Sequence, residues 1–220
     1  MSRYTGPKRR IARRLGVNIF SSPKDPMQQK RNAPPGMHGA KRKKKSDYGL
    51  QLTEQQKLKA VYGMLPQKQL VTAYHKALKK SQTKKTHGIH ISAAQLFFEA
   101  LECRLDNIVF RLRLSVSIFG AQQLVSHGHV MVNGKKVNIR SYVVQQDDVV
   151  SIKPASRKGP MLALIQTAQT TCRNEIPDYL VVEEEGFAGK LVSMPQKDAV
   201  SSFPCVIDID HVCEFLSHHH

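Results

Sequence analysis

The 220-residue chain is predicted to fold as mixed α/β (α+β): an extended basic arm, a helical domain, and a second domain in which two helices pack on a small twisted β-sheet. Three observations carry that expectation. Residues 1–45 have no sustained hydrophobic period. From residue 46 to about residue 125 apolar residues recur at helical spacing. After Gly128 the period falls to two.

In the arm, Pro7, Pro23, Pro26, Pro34 and Pro35, with Gly6, Gly16, Gly36 and Gly39, forbid a long helix. One short helical turn is predicted at Lys8–Leu15, with Arg9, Arg10, Arg13 and Arg14 spread round it. A segment of this composition is not expected to fold by burying apolar surface. It can order on a polyanion, where neutralised charge and released counterions supply the free energy. Pro34-Pro35-Gly36-Met37-His38-Gly39 is turn chemistry, and for His38 a linker turn and a binding contact stay equally open. The cation run Lys41-Arg42-Lys43-Lys44-Lys45 beside Tyr48 fits a phosphate clamp with a stackable ring, or a localisation signal.

Thr53 with Gln56 is a capping-box start, followed by Leu58, Val61, Tyr62 and Leu65 up to Pro66. Leu70, Val71, Tyr74, Ala77 and Leu78 mark a second helix, and Ser81 to Gly88 a polar break. Ser92 caps a third through Leu96, Phe97 and Leu101. Tyr62 and Tyr74 sit in the apolar period and are assigned to the core.

The stretch from Leu101 to Pro154 organises the rest. Leu101, Leu105, Ile108, Val109 and Leu112 share one helical face, with Asp106 a point where the helix could restart. Ser117 caps a helix through Ile118, Ala121, Leu124 and Val125, which Gly128 stops. Val130 and Val132 alternate, Asn133-Gly134 supplies a two-residue hairpin turn, and Val137 and Ile139 return. Tyr142 and Val144, then Val150 and Ile152, predict further strand broken at Asp147-Asp148. Arg104, Arg111, Gln122, Gln123, His127, His129, Lys135 and Lys136 are thereby left for the outer face. Beyond a basic hinge at residues 156–160, Met161 to Thr171 reads as a helix. Tyr179–Val182 and Lys190–Ser193 read as strands, Cys205–Asp208 as a strand or turn, and His211–Leu216 as a terminal helix.

Charge sharpens the functional reading. Lys and Arg number 34 against 17 Asp and Glu, a net +17. Residues 1–45 hold fourteen basic and one acidic residue, whereas residues 166–217 hold three basic and nine acidic. Such asymmetry indicates one end that binds a polyanion and one that does not. Cys103, Cys172, Cys205 and Cys213 form no Cys-x-x-Cys pair and read as ordinary thiols of a reducing compartment. Neither a membrane-length apolar run nor a signal-peptide block is visible, so the chain is read as cytosolic. His127-Gly128-His129 lacks two further ligands at metal spacing, which leaves RNA contact or a local hydrogen bond. The P-loop, nucleophile-elbow and HExxH patterns are absent, and an enzyme is not expected.

The blocks Arg104-Leu105-Asp106-Asn107, QLVSHGHVMVNGKKV and Asp148-Val149-Val150-Ser151-Ile152 resemble the S-four-type RNA-binding module. The neighbouring GPKRRIARRLG, PPGMHG and KKSDYGLQLTEQQK resemble the family of bacterial small-subunit ribosomal protein four, up to about Pro154. Arg104-Leu105-Asp106 also resembles the catalytic aspartate block of pseudouridine synthases, but their large catalytic domain is missing, and Asp106 is read as a helix-capping or arginine-pairing residue. The family resemblance implies a basic arm (1–45), a helical domain (46–91) completed by residues 205–217, and an inserted RNA-binding domain (92–204) with its core module at 101–154. It implies a structural constituent of the small ribosomal subunit that binds the 5′ domain of small-subunit ribosomal RNA, nucleates assembly, meets ribosomal protein five and influences translational accuracy. It implies no membrane, small-molecule substrate, cofactor or autonomous homo-oligomer. Many relatives carry a zinc-binding cysteine set in the arm; this arm has no cysteine, so no metal is expected.

The residues expected on RNA are Arg3, Lys8, Arg9, Arg10, Arg13, Arg14, His38, Arg42, Lys43, Lys44, Lys45 and Tyr48 of the arm and its border. In the module they are Arg104, Asn107, Arg111, Gln122, Gln123, Ser126, His127, His129, Asn133, Lys135 and Lys136. Lys and Arg would meet phosphates, while Asn133, Gln122, Gln123, Ser126 and the histidines offer neutral hydrogen bonds to phosphate or ribose hydroxyls. The chain departs from the family where Arg-Leu-Gly-Phe becomes Arg111-Leu112-Arg113-Leu114, where arginines give way to Ile118 and Gln122, and where Gly-Asp becomes Asp147-Asp148. The second helix is thus expected to lack two phosphate contacts, with Arg113 replacing one. The alternative reading is a free-standing accessory factor for ribosome rescue or RNA modification that carries the same module.

Overall fold

The computed structural model describes residues 4–20, 33–39, 44, 46–88, 90–171, 176–183, 186–196 and 203–218. It is mixed α/β, as the sequence predicts, and divides into two compact units: residues 1–94 with 203–220, and residues 95–202.

The first unit is helical. Helix α1 (Lys8–Leu15) ends on Gly16 at φ 74°, and the Arg13 guanidinium donates to the Ala33 carbonyl at 2.8 and 3.1 Å. Ala12 and Ile19 are buried, so the arm, which its composition does not lead one to expect to fold by burying apolar surface, does bury some. Helix α2 (Asp47–Val61) starts earlier than the Thr53 reading predicts: the Ser46 hydroxyl accepts the Gly49 N–H at 3.3 Å. Thr53 lies mid-helix and donates back to the Gly49 carbonyl at 2.7 Å.

Helix α3 (Gln67–Thr86) runs straight through the expected break at Ser81. The lysines, glutamine and threonines there are solvated helix residues, and the Ser81 hydroxyl donates to the Ile91 carbonyl at 2.7 Å. Helix α8 (Ile209–Ser217), capped by the Asp208 carboxylate, packs on α2 and α3. Tyr62 and Tyr74 are buried, with Tyr62 edge-on to Phe203. Residues 203–208 form no strand, and Val206 is exposed.

Helix α4 (Ala93–Glu102) leads into the second unit. The helix expected across Leu101–Leu112 breaks at Arg104, whose backbone is extended, and resumes as α5 (Leu105–Arg111). The segment around Tyr142–Val144 closes the break rather than forming a full strand: Leu105 N–H donates to the Tyr142 carbonyl and Val144 N–H to the Cys103 carbonyl, both at 2.8 Å. Helix α6 (Ile118–Ser126) is capped by Ser117 and packs on α5.

Strands β1 (Val130–Val132), β2 (Lys135–Lys136) and β3 (Val149–Ile152) join β4 (Leu180–Val182) and β5 (Ala188–Leu191) in an antiparallel sheet of order β2-β1-β3-β5-β4. The returning strand is shorter than Val137 and Ile139 predict; Val137 N–H still donates to Val130 O, but Ile139 is exposed. β5 sits two residues earlier than predicted, with Gly189 opposite Val150. A side chain at Gly189 would collide with Leu112, so the sheet approaches α5 closely only because glycine stands there. Helix α7 (Pro160–Thr171) adds Ile165 to a core of Leu105, Ile108, Leu112, Leu124, Val125, Val130, Val150 and Ile152.

Candidate nucleic-acid interface

In the first unit Lys8, Arg9, Arg10, Arg14, His38 and Lys44 are exposed, and Arg13 is half-buried by its bond to Ala33. Arg3, Arg42, Lys43 and Lys45 lie outside the described residues. Tyr48 is exposed, its ring tilted against Phe215 at 5.5 Å, so one edge is anchored while part of the ring remains open to stacking.

In the second unit the sequence places one face well. The C-terminal end of α6 exposes Gln123, Ser126 and His127, and the tight hairpin exposes Asn133, Lys135 and Lys136. Asn133 and Gly134 adopt φ of 48° and 76°, the left-handed pair that a two-residue turn requires. Gly128, at φ 73°, is covered by the stem of Lys136, which brings the hairpin cation against the end of α6. His127 and His129 have ring centroids 6.1 Å apart, and His129 Nδ1 lies 2.9 Å from the Ser156 hydroxyl.

Several side chains expected on RNA are engaged within the protein. Asn133 Nδ2 donates to Asp148 at 2.7 Å while its Oδ1 accepts the Val149 N–H at 2.9 Å, so its amide fixes the turn. Gln122 donates to Asp106 and accepts from Arg140, both at 3.3 Å. Asp106 also pairs with Arg104 at 3.1 Å, the arginine-pairing role read for it. Arg140, half-buried, joins this network through Gln122, and no period or motif of the sequence marks it. Ile118 is buried, which explains an apolar residue there. Arg113 is half-buried at φ 56°.

Asn107 and Arg111 are corrections. They are 2% and 5% exposed and cannot form part of an outer face. Both serve Glu102, itself 1% exposed: Asn107 donates to its carboxylate at 2.8 Å and Arg111 at 3.1 Å. Tyr179 completes the cluster, its hydroxyl donating to Glu102 at 2.6 Å. A buried carboxylate requires such donors and a counter-charge.

Burial first, and the Glu102 charge second, push the Tyr179 phenol far above its ordinary value of 10.0. The folded state therefore holds a proton that the unfolded chain releases. This contribution to stability is full below about pH 10 and is lost as pH rises further, by about 1.4 kcal/mol per pH unit. Urea unfolding at pH 8 and pH 11 should show a larger alkaline loss for the wild type than for Tyr179→Phe; equal losses would mean that the phenol is not held protonated.

Among the described residues no helix is long and apolar enough to cross a membrane, and no cluster of three or more His, Cys, Asp or Glu side chains could hold a metal.

Two helices on a small antiparallel sheet, with an exposed helix end and a cationic hairpin, define an S4-domain protein. The S4 domain matches residues 103–150, and the ribosomal protein S4/S9 N-terminal domain matches residues 3–92. The small ribosomal subunit protein uS4 of Chlamydia muridarum is 50% identical over 220 residues, covering 99% of both chains. That of Protochlamydia amoebophila is 49% identical over 218 residues with the same coverage. The chain belongs to the uS4 family of small ribosomal subunit proteins.

Proposed function

We propose that the chain is a structural constituent of the small ribosomal subunit that binds small-subunit ribosomal RNA, using its basic arm for phosphate neutralisation and the α6–hairpin face for shape recognition. One observation carries this: relatives named as small-subunit proteins match almost the whole chain, arm and module together in order. A ribosomal constituent of this family works in the cytoplasm and is not an enzyme. Recognition of the 5′ domain, nucleation of assembly, contact with ribosomal protein five and influence on accuracy belong to the same reading. The accessory-factor alternative accounts for the module but not for the N-terminal domain that precedes it.

The contacting residues we assign are the arm cations with Tyr48 and His38, and Gln123, Ser126, His127, His129, Lys135 and Lys136 of the module; Arg104, held by two of its donors on Asp106, is left out. Lys135→Glu with Lys136→Glu should weaken RNA binding without lowering the thermal midpoint, because both side chains are exposed. Each lost phosphate contact lowers the salt slope by roughly one unit or slightly less. Unchanged affinity in a filter-binding series would move the RNA face elsewhere on the module. Sedimentation of the tagged protein with small subunits through a high-salt wash tests the ribosomal role itself; release under mild salt would favour the accessory factor.

A further inference from the structure

The outward face of α3 carries a stripe of cations that the reading above leaves unused. Lys68, Thr72, Lys76, Lys79 and Thr83 recur at helical spacing on the side opposite the buried Leu70, Tyr74 and Ala77, and all five are exposed. They span about 22 Å of helix. Residues 55–98 contain eight lysines and no aspartate or glutamate, so no acid of α3 itself offsets Lys68, Lys76 or Lys79. The nearest acid upstream, Glu54, pairs with Lys57 at 2.7 Å. Lys84 and Lys85 lie in the last turn, where they complement the helix dipole. The dipole does not account for Lys68, Lys76 or Lys79, because its influence falls off within the terminal turn.

The composition of the stripe selects its partner. Protein interfaces are built on aromatic, apolar or arginine anchors and are poor in lysine. This stripe has none of those anchors. Thr72 and Thr83 turn their hydroxyl protons inward, to the Lys68 and Lys79 carbonyls at 2.7 and 3.0 Å, leaving the lysine ammonium groups as its donors. Flexible point charges of this kind suit phosphates.

We propose that the outer face of α3 is a further phosphate-binding surface, taking the backbone of double-helical ribosomal RNA without reading its sequence. The proposal rests on the ribosomal RNA reading above. The test is a filter-binding salt series on the full chain with transcribed small-subunit ribosomal RNA, comparing wild type, Lys76→Ala/Lys79→Ala, Lys76→Arg/Lys79→Arg and Lys135→Glu/Lys136→Glu. The alanine pair should lower the slope by about two units and affinity about tenfold or more at moderate salt, with the arginine pair close to wild type. Its thermal midpoint should not fall, because alanine is the better helix former at exposed positions. Wild-type slope and affinity in the alanine pair, with binding weakened in the hairpin pair, would overturn the α3 surface while leaving the ribosomal RNA reading intact; the stripe would then face solvent or an acidic protein. Absence of salt-dependent binding in the wild type would overturn both.

Discussion

Removal of residues 1–45 is expected to flatten the salt dependence of RNA binding by several units. The segment carries a net +13 of the chain's +17. If roughly six to ten cations meet phosphates, intact protein should lose about a thousandfold or more in affinity between low and moderate salt. The truncated protein should still prefer small-subunit RNA over a random duplex, because shape is read by ordered domains rather than by the arm. Its unfolding should remain cooperative, since Ala12 and Ile19 are the only core residues described within that segment. Binding of both RNAs by both proteins at several salt concentrations decides the matter. Equal slopes would mean that the arm stays in solvent when RNA is bound. The remainder is not featureless: residues 46–165 carry a net +10 that the acidic C-terminal stretch offsets by −6. Slope that survives the deletion is expected from these remaining cations, those of the hairpin and of α3 among them.

Arg111→Ala should lower the stability of the second unit by about 3–5 kcal/mol, the range for stranding one member of a buried ion pair. Glu102 would keep the Asn107 and Tyr179 hydrogen bonds and lose the guanidinium beside it. For a unit of this size the thermal midpoint should fall by roughly 12 °C or more. Replacing both charges, with Glu102→Gln and Arg111→Met, should recover much of the loss, since removing a buried pair together is far less costly than halving it. A midpoint within about one degree of wild type for Arg111→Ala would show that the cluster is not a structural pin.

Much of the local structure was legible because short-range rules decide it. Ser117 caps α6 through a hydroxyl placed three residues ahead of the N–H that it accepts. Asn133-Gly134 makes its turn because both residues tolerate the left-handed region. The apolar periods of α7 and α8 select their buried faces, and the lysines of the hairpin are exposed as expected. The polar run at Ser81 misled because polarity marks exposure and not the end of a helix. Thr53 misled because a capping-box pair recurs inside helices, where a threonine hydroxyl closes on the preceding turn.

The candidate site was legible as a face and not as a set of contacts. Gln123, His127, Lys135 and Lys136 lie where the pattern puts them, whereas Asn133 and Gln122 spend their amides on Asp148, Asp106 and Arg140. An amide tells the reader that a hydrogen bond will form, never with what.

By itself, then, the sequence determined the charge gradient, the helices with a one-sided apolar period and the tight hairpin, since each follows from residues within a few positions of one another. Tertiary structure alone decided the sheet order, the packing of α8 on α2, and the fate of Asn107 and Arg111. The physical reason is the same in each case. A polar side chain is buried only if a partner arrives to satisfy it, and for Glu102 one such partner, Tyr179, comes from 77 residues along the chain.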